Sequence, residues 1–228
     1  MAIILSIETA TTVCSAALLQ DGNPLINKEN HQGQSHATLL GVYVQEIMEH
    51  VRENKIKLDA IAVSSGPGSY TGLRIGISEA KGLSYGLDIP IIAIPTHLIM
   101  ASMMKDKVED GTLLCPMIDA RRMEVYTTIY DTSLNVIRKT SADIIETDSY
   151  NNLLQKHKIA FFGNGAEKCK NTLSHPKAQF IDNIHPLASA MGIPAEKAYQ
   201  EEDFVSSAYF EPFYLKEFVA TTPKNKLL

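Results

Sequence analysis

The sequence has few of the residues that build disulfide frameworks, zinc sites or basic nucleic-acid surfaces. Its three cysteines, Cys14, Cys115 and Cys169, lie far apart and form no CxxC pair. This spacing indicates reduced thiols in a cytoplasmic protein. No run of basic residues is longer than two, and the formal net charge is −5. Because lysine and arginine contacts to phosphate dominate nucleic-acid affinity, we do not expect the chain to bind RNA on its own.

Signals for membranes, metals and hydrolases are missing as well. No apolar run approaches the roughly 20 residues that a membrane-spanning helix needs. The opening apolar run is interrupted by Glu8 and has no basic segment before it, so it predicts a strand and not a signal peptide. No two of the seven histidines are three or four residues apart, which argues against a metal site on a helix. The sequence has no GxSxG elbow of the serine-hydrolase type, because its Gly-Leu-Ser-Tyr-Gly string at 82–86 lies within a predicted helix and not between a strand and a helix.

The hydrophobic pattern divides the chain into two halves of similar organisation. Each half runs as three strands, a helix, a strand and a second helix, and a polar stretch at 106–111 separates them. This pattern predicts an α/β protein with mixed sheets, made of a lobe at 1–105 and a lobe at 106–228. We expect the last helix or the tail to pack back on the first lobe. The predicted strands are 2–8, 13–19, 25–29, 59–64, 90–94, 112–118, 123–130, 134–145, 158–162 and 178–181, and the predicted helices are 35–53, 71–86, 96–105, 148–157 and 185–201.

A glycine-rich block at 64–86 stands out within the first half. A buried strand leads into Gly-Pro-Gly at 66–68, and a helix with Ser69 or Thr71 as its N-cap should follow. An interior glycine costs about 1 kcal/mol relative to alanine, so the glycines of this helix need a compensating close approach. One ridge of small residues can seat the helix on its own sheet, while a second face is free to receive another helix. Dense packing within one domain is an equally good explanation of these glycines alone.

Two loops hold residues that could bind an anion. The Glu-Thr-Ala-Thr-Thr segment at 8–12 offers hydroxyls and backbone N–H groups, and Glu8 could reach a magnesium-bound water. The segment at 119–124 places Asp119 and Arg121 at a strand end that should face a cleft. Without a bound anion, the segment at 8–12 would be a simple hairpin turn, and the segment at 119–124 would be the charged tip of a hairpin. The glycine spacing at 66–72 is one residue too long for a dinucleotide-binding fingerprint.

Three segments resemble the TsaB (YeaZ) family, the bacterial accessory subunits of the tRNA threonylcarbamoyladenosine machinery. They are residues 4–12, the block 64–86 with 89–91, and residues 119–126. The likeness runs through most of the chain and is strongest over 1–126. It implies the actin-like, sugar-kinase and Hsp70-type ATPase (ASKHA) fold with two duplicated lobes. It also implies that the helices at 35–53 and 71–86 pack against the same helices of a partner.

The resemblance implies a scaffold subunit without catalytic residues of its own. Its catalytic relative TsaD has a His-x-x-x-His pair after the Ile-Pro strand, where this chain has His97 alone, and Glu8 replaces the usual Asp of the first phosphate loop. Both departures argue against independent catalysis. We expect no intrinsic cofactor or metal, with ATP and magnesium bound by partner subunits.

The resemblance also implies the partners. The chain is expected to bind TsaD and, with it, TsaE, and so to support threonylcarbamoyl transfer to the adenosine beside the tRNA anticodon. A homodimer through the same helices is an alternative use of that surface, and tRNA is met only through the complex. The predicted partner interface is Leu39, Tyr43, Ile47, Gly72, Ile75, Gly76, Glu79 and Gly82. The predicted vestigial nucleotide cleft is Glu8, Thr9, Thr11, Thr12, Asp119 and Arg121.

Two other functions remain open from the sequence. A stand-alone ATPase or small-molecule kinase of the same fold would act through the two loops described above. A peptidase would need a metal site or a catalytic triad, neither of which the sequence offers.

Overall fold

The computed structural model describes residues 2–33 and 35–216, which form two five-stranded mixed sheets. The first sheet contains β1 (Ile3–Glu8), β2 (Cys14–Gln20), β3 (Asn23–Asn30), β4 (Ala60–Gly66) and β5 (Ile91–Pro95). The second contains β6 (Leu113–Asp119), β7 (Glu124–Tyr130), β8 (Val136–Ile144), β9 (Ile159–Phe162) and β10 (Ala178–Ile181). The α-helices are α1 (His36–Glu53), α2 (Tyr70–Leu87), α3 (Thr96–Met104), α4 (Asn151–Leu154) and α5 (Gly192–Gln200), and 3-10 helices cover Glu167–Cys169 and Ala188–Met191.

The two sheets have the same strand order. The first runs β3-β2-β1-β4-β5, and the second runs β8-β7-β6-β9-β10 when it is taken from the corresponding edge. In each sheet the first three strands form an antiparallel meander. The fourth strand pairs in parallel with the free edge of the first strand, and the fifth pairs in parallel with the fourth. The prediction of two duplicated halves with mixed sheets is therefore confirmed.

The helices of the first lobe cover both faces of its sheet. On one face, Leu40 and Val44 of α1 and Ile77 of α2 pack against buried residues of β1, β2 and β4. On the other face lie α3, the second 3-10 helix and α5, which contributes Ala195. The last helix of the described residues thus packs on the first sheet. Within the described ranges, no helix is long and apolar enough to cross a bilayer.

Helix α3 joins the two lobes. Its Ile99 lies in the core of the first sheet, while Met100 and Met104 pack against the second. His97, on the same helix, is fully buried and hydrogen-bonds the Thr128 hydroxyl (2.9 Å) and the Tyr126 carbonyl oxygen (3.0 Å) of β7. These contacts give His97 a structural role in fixing one lobe on the other.

The helical connections differ between the lobes although the sheets correspond. The first lobe connects β3 to β4 through α1 and β4 to β5 through α2, each of 18 residues. At the same two places the second lobe has α4, of four residues, and a 3-10 helix of three. In the part of the chain that the structure describes, long helices therefore cover only the first sheet on this side.

Two predicted helices are much shorter than expected: 185–201 is a 3-10 helix at Ala188–Met191 followed by α5, and 148–157 is reduced to α4. Tyr150 has a φ of 65°, in the left-handed region, so the helix cannot extend back through it. The Tyr150 hydroxyl donates to Asp143, and its ring packs on Phe161 with centroids 5.5 Å apart. These contacts hold the residue in a turn between β8 and α4.

Candidate functional site

Two loops of the first lobe meet at the carboxyl end of its sheet. The Ser69 N–H, in the loop after β4, donates to the Ala10 carbonyl oxygen in the loop after β1, at 2.6 Å. A Cβ on Gly68 would lie 2.4 Å from that same oxygen. Ser69 also caps α2, because its hydroxyl oxygen accepts the Gly72 N–H at 3.2 Å. Glycine is required at 68 because any side chain there would separate the two loops.

Helix α2 packs directly on the loop after β1. A Cβ on Gly72 would lie 2.1 Å from the Thr9 carbonyl oxygen, and one on Gly76 would lie 2.3 Å from Thr9 Oγ1. The Thr9 hydroxyl donates to the Gly72 carbonyl oxygen at 2.8 Å. The ridge that these glycines begin therefore faces the chain's own sheet, and it continues through Ala80 and Ser84, which are buried.

This packing corrects part of the predicted partner interface. Gly72 and Gly76 are buried against Thr9, and Ile47 of α1 is 0% exposed in the core of the first lobe. None of the three can contact a second molecule while the chain is folded. Their apolar and small character serves packing within the lobe.

The other predicted interface residues lie on the outer side of α1 and α2. Leu39, Tyr43, Ile75 and Glu79 are partly exposed, and Gly82 is exposed. A Cβ on Gly82 would meet nothing within 4 Å, and the same holds for Gly86, one turn further along α2. We call Leu39, Tyr43, Ile75, Glu79, Gly82 and Gly86 the helix surface.

A cavity of about 800 Å³ separates this loop region from the second lobe. Thr11 and Thr12 line it from the first lobe, and Asp119 and Arg121 line it from the β6–β7 hairpin. These four predicted cleft residues are thus brought together. The hairpin is shaped by the left-handed φ of Arg121 (70°) and of its neighbour Arg122 (45°).

The other two predicted cleft residues, Glu8 and Thr9, are not part of the cavity wall. Both are 0% exposed, and the Thr9 hydroxyl is used in its hydrogen bond to Gly72 of α2. The Glu8 carboxylate accepts the Ala10 N–H through Oε1, and no described residue hydrogen-bonds its Oε2. Burial raises the pKa of Glu8 from 4.5 to about 7, although the Ala10 hydrogen bond opposes this shift. The buried Glu8 carboxylate therefore stabilises its own loop through the Ala10 N–H, and it does not reach a ligand in the cleft.

The acidic groups of the cavity are already paired with lysines. Asp119 accepts a hydrogen bond from Lys168, and Glu124 forms an ion pair with Lys216 at 2.5 Å. The sequence contained no signal for either partner, because 49 residues separate the first pair and 92 the second.

Magnesium nucleotide, which this fold binds in its ATPases, does not fit these residues. Glu8 is turned inward, and Asp119 and Glu124 are held by lysines. Among residues 2–33 and 35–216, no three acidic, histidine or cysteine side chains are grouped so that they could hold a metal ion. Among the described residues, a triphosphate would thus meet no group of three metal ligands and little compensating positive charge.

The C-terminal segment lies along α2 and reaches across the cleft. The ring of Tyr214 packs on that of Tyr70 with centroids 4.9 Å apart, and Arg74 Nε donates to the Tyr214 hydroxyl at 2.9 Å. The Phe213 N–H donates to the Ser65 carbonyl oxygen at 2.7 Å. The expectation that the last helix or the tail packs back on the first lobe did not identify these contact residues.

Two sheets of this duplicated order, with a cleft between their lobes, define the actin-like ATPase class of folds. A family model described as TsaD, tRNA N6-adenosine threonylcarbamoyltransferase, matches residues 27–224. The TsaB protein of Buchnera aphidicola subsp. Baizongia pistaciae is 32% identical over 225 residues, which cover 94% of this chain and 98% of that protein. The chain belongs to the TsaB (YeaZ) family, within the wider group that this family model describes.

Further relatives agree with this assignment. The TsaB protein of Escherichia coli (strain K12) is 37% identical over 134 residues, so the match spans 59% of this chain and only 57% of that protein. The structure of YeaZ from Pseudomonas aeruginosa superposes with a TM-score of 0.77 and 24% identity, and the match covers 94% of this chain and all of that one. This structural likeness establishes the fold alone.

Proposed function

We propose that the chain is a non-catalytic subunit in the biosynthesis of threonylcarbamoyladenosine in tRNA. In this role it binds TsaD and, with it, TsaE, and holds TsaD in the arrangement that transfers the threonylcarbamoyl group. The TsaB relatives named above support the pathway. The poor fit of the cleft to magnesium nucleotide supports the absence of independent catalysis, so ATP and magnesium would be bound by the partner subunits in the cytoplasm.

The observation on which the scaffold role rests is the open backbone of α2. Gly82 and Gly86 each lack a side chain where no atom of the described chain approaches within 4 Å. An exposed glycine costs about 1 kcal/mol in a helix and gives nothing to the isolated chain. A second helix laid across them would gain close backbone contact. Two helices can supply the roughly 800 Å² per partner that a specific interface buries.

The surface also suits a related chain better than an unrelated one. TsaD belongs to the family whose model matches this chain, so its own corresponding helices can pair with α1 and α2 in a four-helix arrangement. The same geometry allows two copies of this chain to pair. Which pairing dominates depends on the side chains that the partner sets against Gly82 and Gly86.

The test is light scattering of the purified chain alone, with TsaD, and with TsaD and TsaE. We expect a stoichiometric complex with TsaD that Gly82→Leu abolishes, because the new side chain projects into the interface and not into the chain's own core. Lys197→Leu is the matched control: it places an exposed leucine on α5, on the opposite face of the same sheet, and should leave the complex intact.

Two results would contradict the proposal. If Gly82→Leu pairs with TsaD as tightly as the wild type does, the helix surface is not the interface. If the chain forms no complex with TsaD but binds Mg-ATP at sub-micromolar concentration in a calorimetric titration, a stand-alone ATPase is the better explanation of its function. Threonylcarbamoyl transfer by TsaD with the Gly82→Leu chain supplies the functional measurement.

A further inference from the structure

A groove of about 380 Å³ lies where α1 and α2 end. Its apolar residues come from the C-terminal part of each helix and from the segments that follow, and they are Met48, Val51, Ile56, Leu58, Leu87 and Ile89. Leu87 is 41% exposed although its side chain is large and apolar. It directly follows Gly86 on α2, so the groove continues the helix surface at its end.

The rim of this groove is basic. Three cationic side chains line it, those of Arg52, Lys55 and Lys57, and all three residues are exposed. The ion pairs formed by described residues include none of them. The acidic neighbours along the chain, Glu53 and Asp88, do not line the groove. A chain with a formal net charge of −5 therefore has a local cluster of unpaired positive charge here.

The end of α1 accounts for only part of this charge. A helix C-terminus has a partial negative charge, which favours a cation at Arg52 and at Lys55. Lys55, however, has a left-handed φ of 53°, and glycine is the usual residue in that conformation just after a helix. Lys57 lies outside both helices. The backbone therefore gives no reason for lysine at 55, and the helix gives none for lysine at 57.

We propose that this groove binds an acidic segment of a partner subunit, in which carboxylates flank a large apolar side chain. The apolar side chain contacts Leu87, and the carboxylates pair with Lys55 and Lys57. The inference rests on the proposed function, because the segment is taken to belong to TsaD, which lies across the adjoining helix surface. Residues 217–228 of this chain contain two lysines and one glutamate, so their charge does not suit the same site.

The test is a calorimetric titration of TsaD into the chain at low and at high salt. Lys55→Gly removes one cation and suits the left-handed turn, so the melting temperature should not fall. Lys57→Glu reverses a second charge. Each variant should weaken TsaD binding about ten-fold, as expected for the loss of one charge-assisted contact, and should lose less affinity with added salt than the wild type does. Leu87→Ser should also weaken binding, because it removes the apolar contact.

Lys139→Glu is the matched control. It makes the same charge change as Lys57→Glu at an exposed residue of β8 that does not line the groove, and it should leave the affinity unchanged. The inference is wrong if the wild type binds TsaD and the groove variants bind it as tightly as the control does. It is also wrong if these variants weaken only self-association of the chain or only the binding of TsaE, because the occupant is then another protein. If the wild type forms no complex with TsaD, the proposed function fails and this inference fails with it.

Discussion

Two glycines of α2 should respond in opposite ways to the same substitution. Gly76→Ala places a methyl group 2.3 Å from Thr9 Oγ1, whereas Gly82→Ala places one where nothing lies within 4 Å. Both changes gain about 1 kcal/mol in helix propensity. Only the first must also displace the Thr9 side chain from its buried hydrogen bond to the Gly72 carbonyl oxygen.

The expected magnitudes follow from these contacts. Overpacking at Gly76 costs about 1–3 kcal/mol, and loss of the Thr9 hydrogen bond costs about 1 kcal/mol more. After the propensity gain, Gly76→Ala should destabilise the chain by about 1–3 kcal/mol. Gly82→Ala should stabilise it by about 0.5–1 kcal/mol. For a chain of this size, each kcal/mol corresponds to roughly 2–4 °C in melting temperature.

Urea unfolding followed by far-ultraviolet circular dichroism measures both changes. Thr9→Ala removes the oxygen that the new methyl group meets, so the Gly76→Ala/Thr9→Ala double variant should be more stable than the sum of the single changes predicts. The coupling should reach about 0.5–3 kcal/mol. If Gly76→Ala stabilises the chain as much as Gly82→Ala does, α2 is not pressed onto the loop after β1 and the packing argument fails.

Three further predictions concern buried titratable groups and the C-terminal segment. Because the pKa of Glu8 is raised to about 7, the native state holds this proton more tightly than the unfolded chain; its contribution is full below pH 4.5 and is lost as the pH rises through 7. Glu8→Gln should therefore be more stable than wild type at pH 8, by up to about 3 kcal/mol, and lose this advantage near pH 5; a constant difference would contradict it. Burial lowers the pKa of His97 to about 3, so its neutral form stabilises the fold above pH 6.5 and this contribution is lost as the pH falls towards 3; His97→Gln should flatten the acid limb of the stability profile. Arg74→Ala removes the cation over the Tyr70 ring and the hydrogen bond to Tyr214, so hydrogen exchange at the Phe213 amide should accelerate while the melting temperature stays unchanged; unaltered exchange would show that other contacts hold the segment.

The strands were predictable because buried apolar runs and turn residues mark them directly. Strand 178–181 is found at its predicted bounds, and most of the others differ by one or two residues at an end. That one of the two small-residue faces of α2 seats the helix on its sheet also followed from helical periodicity. What periodicity could not decide was which of two small-residue faces meets the sheet, and so Gly72 and Gly76 were assigned to the wrong side.

The cleft was predictable only in part, for a similar reason. Asp119 and Arg121 end a strand, so their place at the cleft followed from topology. Glu8 also ends a strand, but all residues of β1 after Ile3 are buried. The strand therefore shows no alternation of buried and exposed positions that would indicate the direction of the Glu8 side chain. Lys168 and Lys216 come from distant parts of the chain, and nothing local to the sequence marks their ion pairs with Asp119 and Glu124.

The unequal helical connections of the two lobes limit how copies of this chain can assemble. In the described residues, long helices border the outer side of the first sheet only, while the second lobe offers four- and three-residue turns at the same places. Pairing through α1 and α2 must then use the same patch on both molecules. Such isologous contact is satisfied by two members and leaves no complementary end for a third. If two copies pair through these helices as proposed above, this lobe asymmetry favours a closed pair over an open chain of molecules.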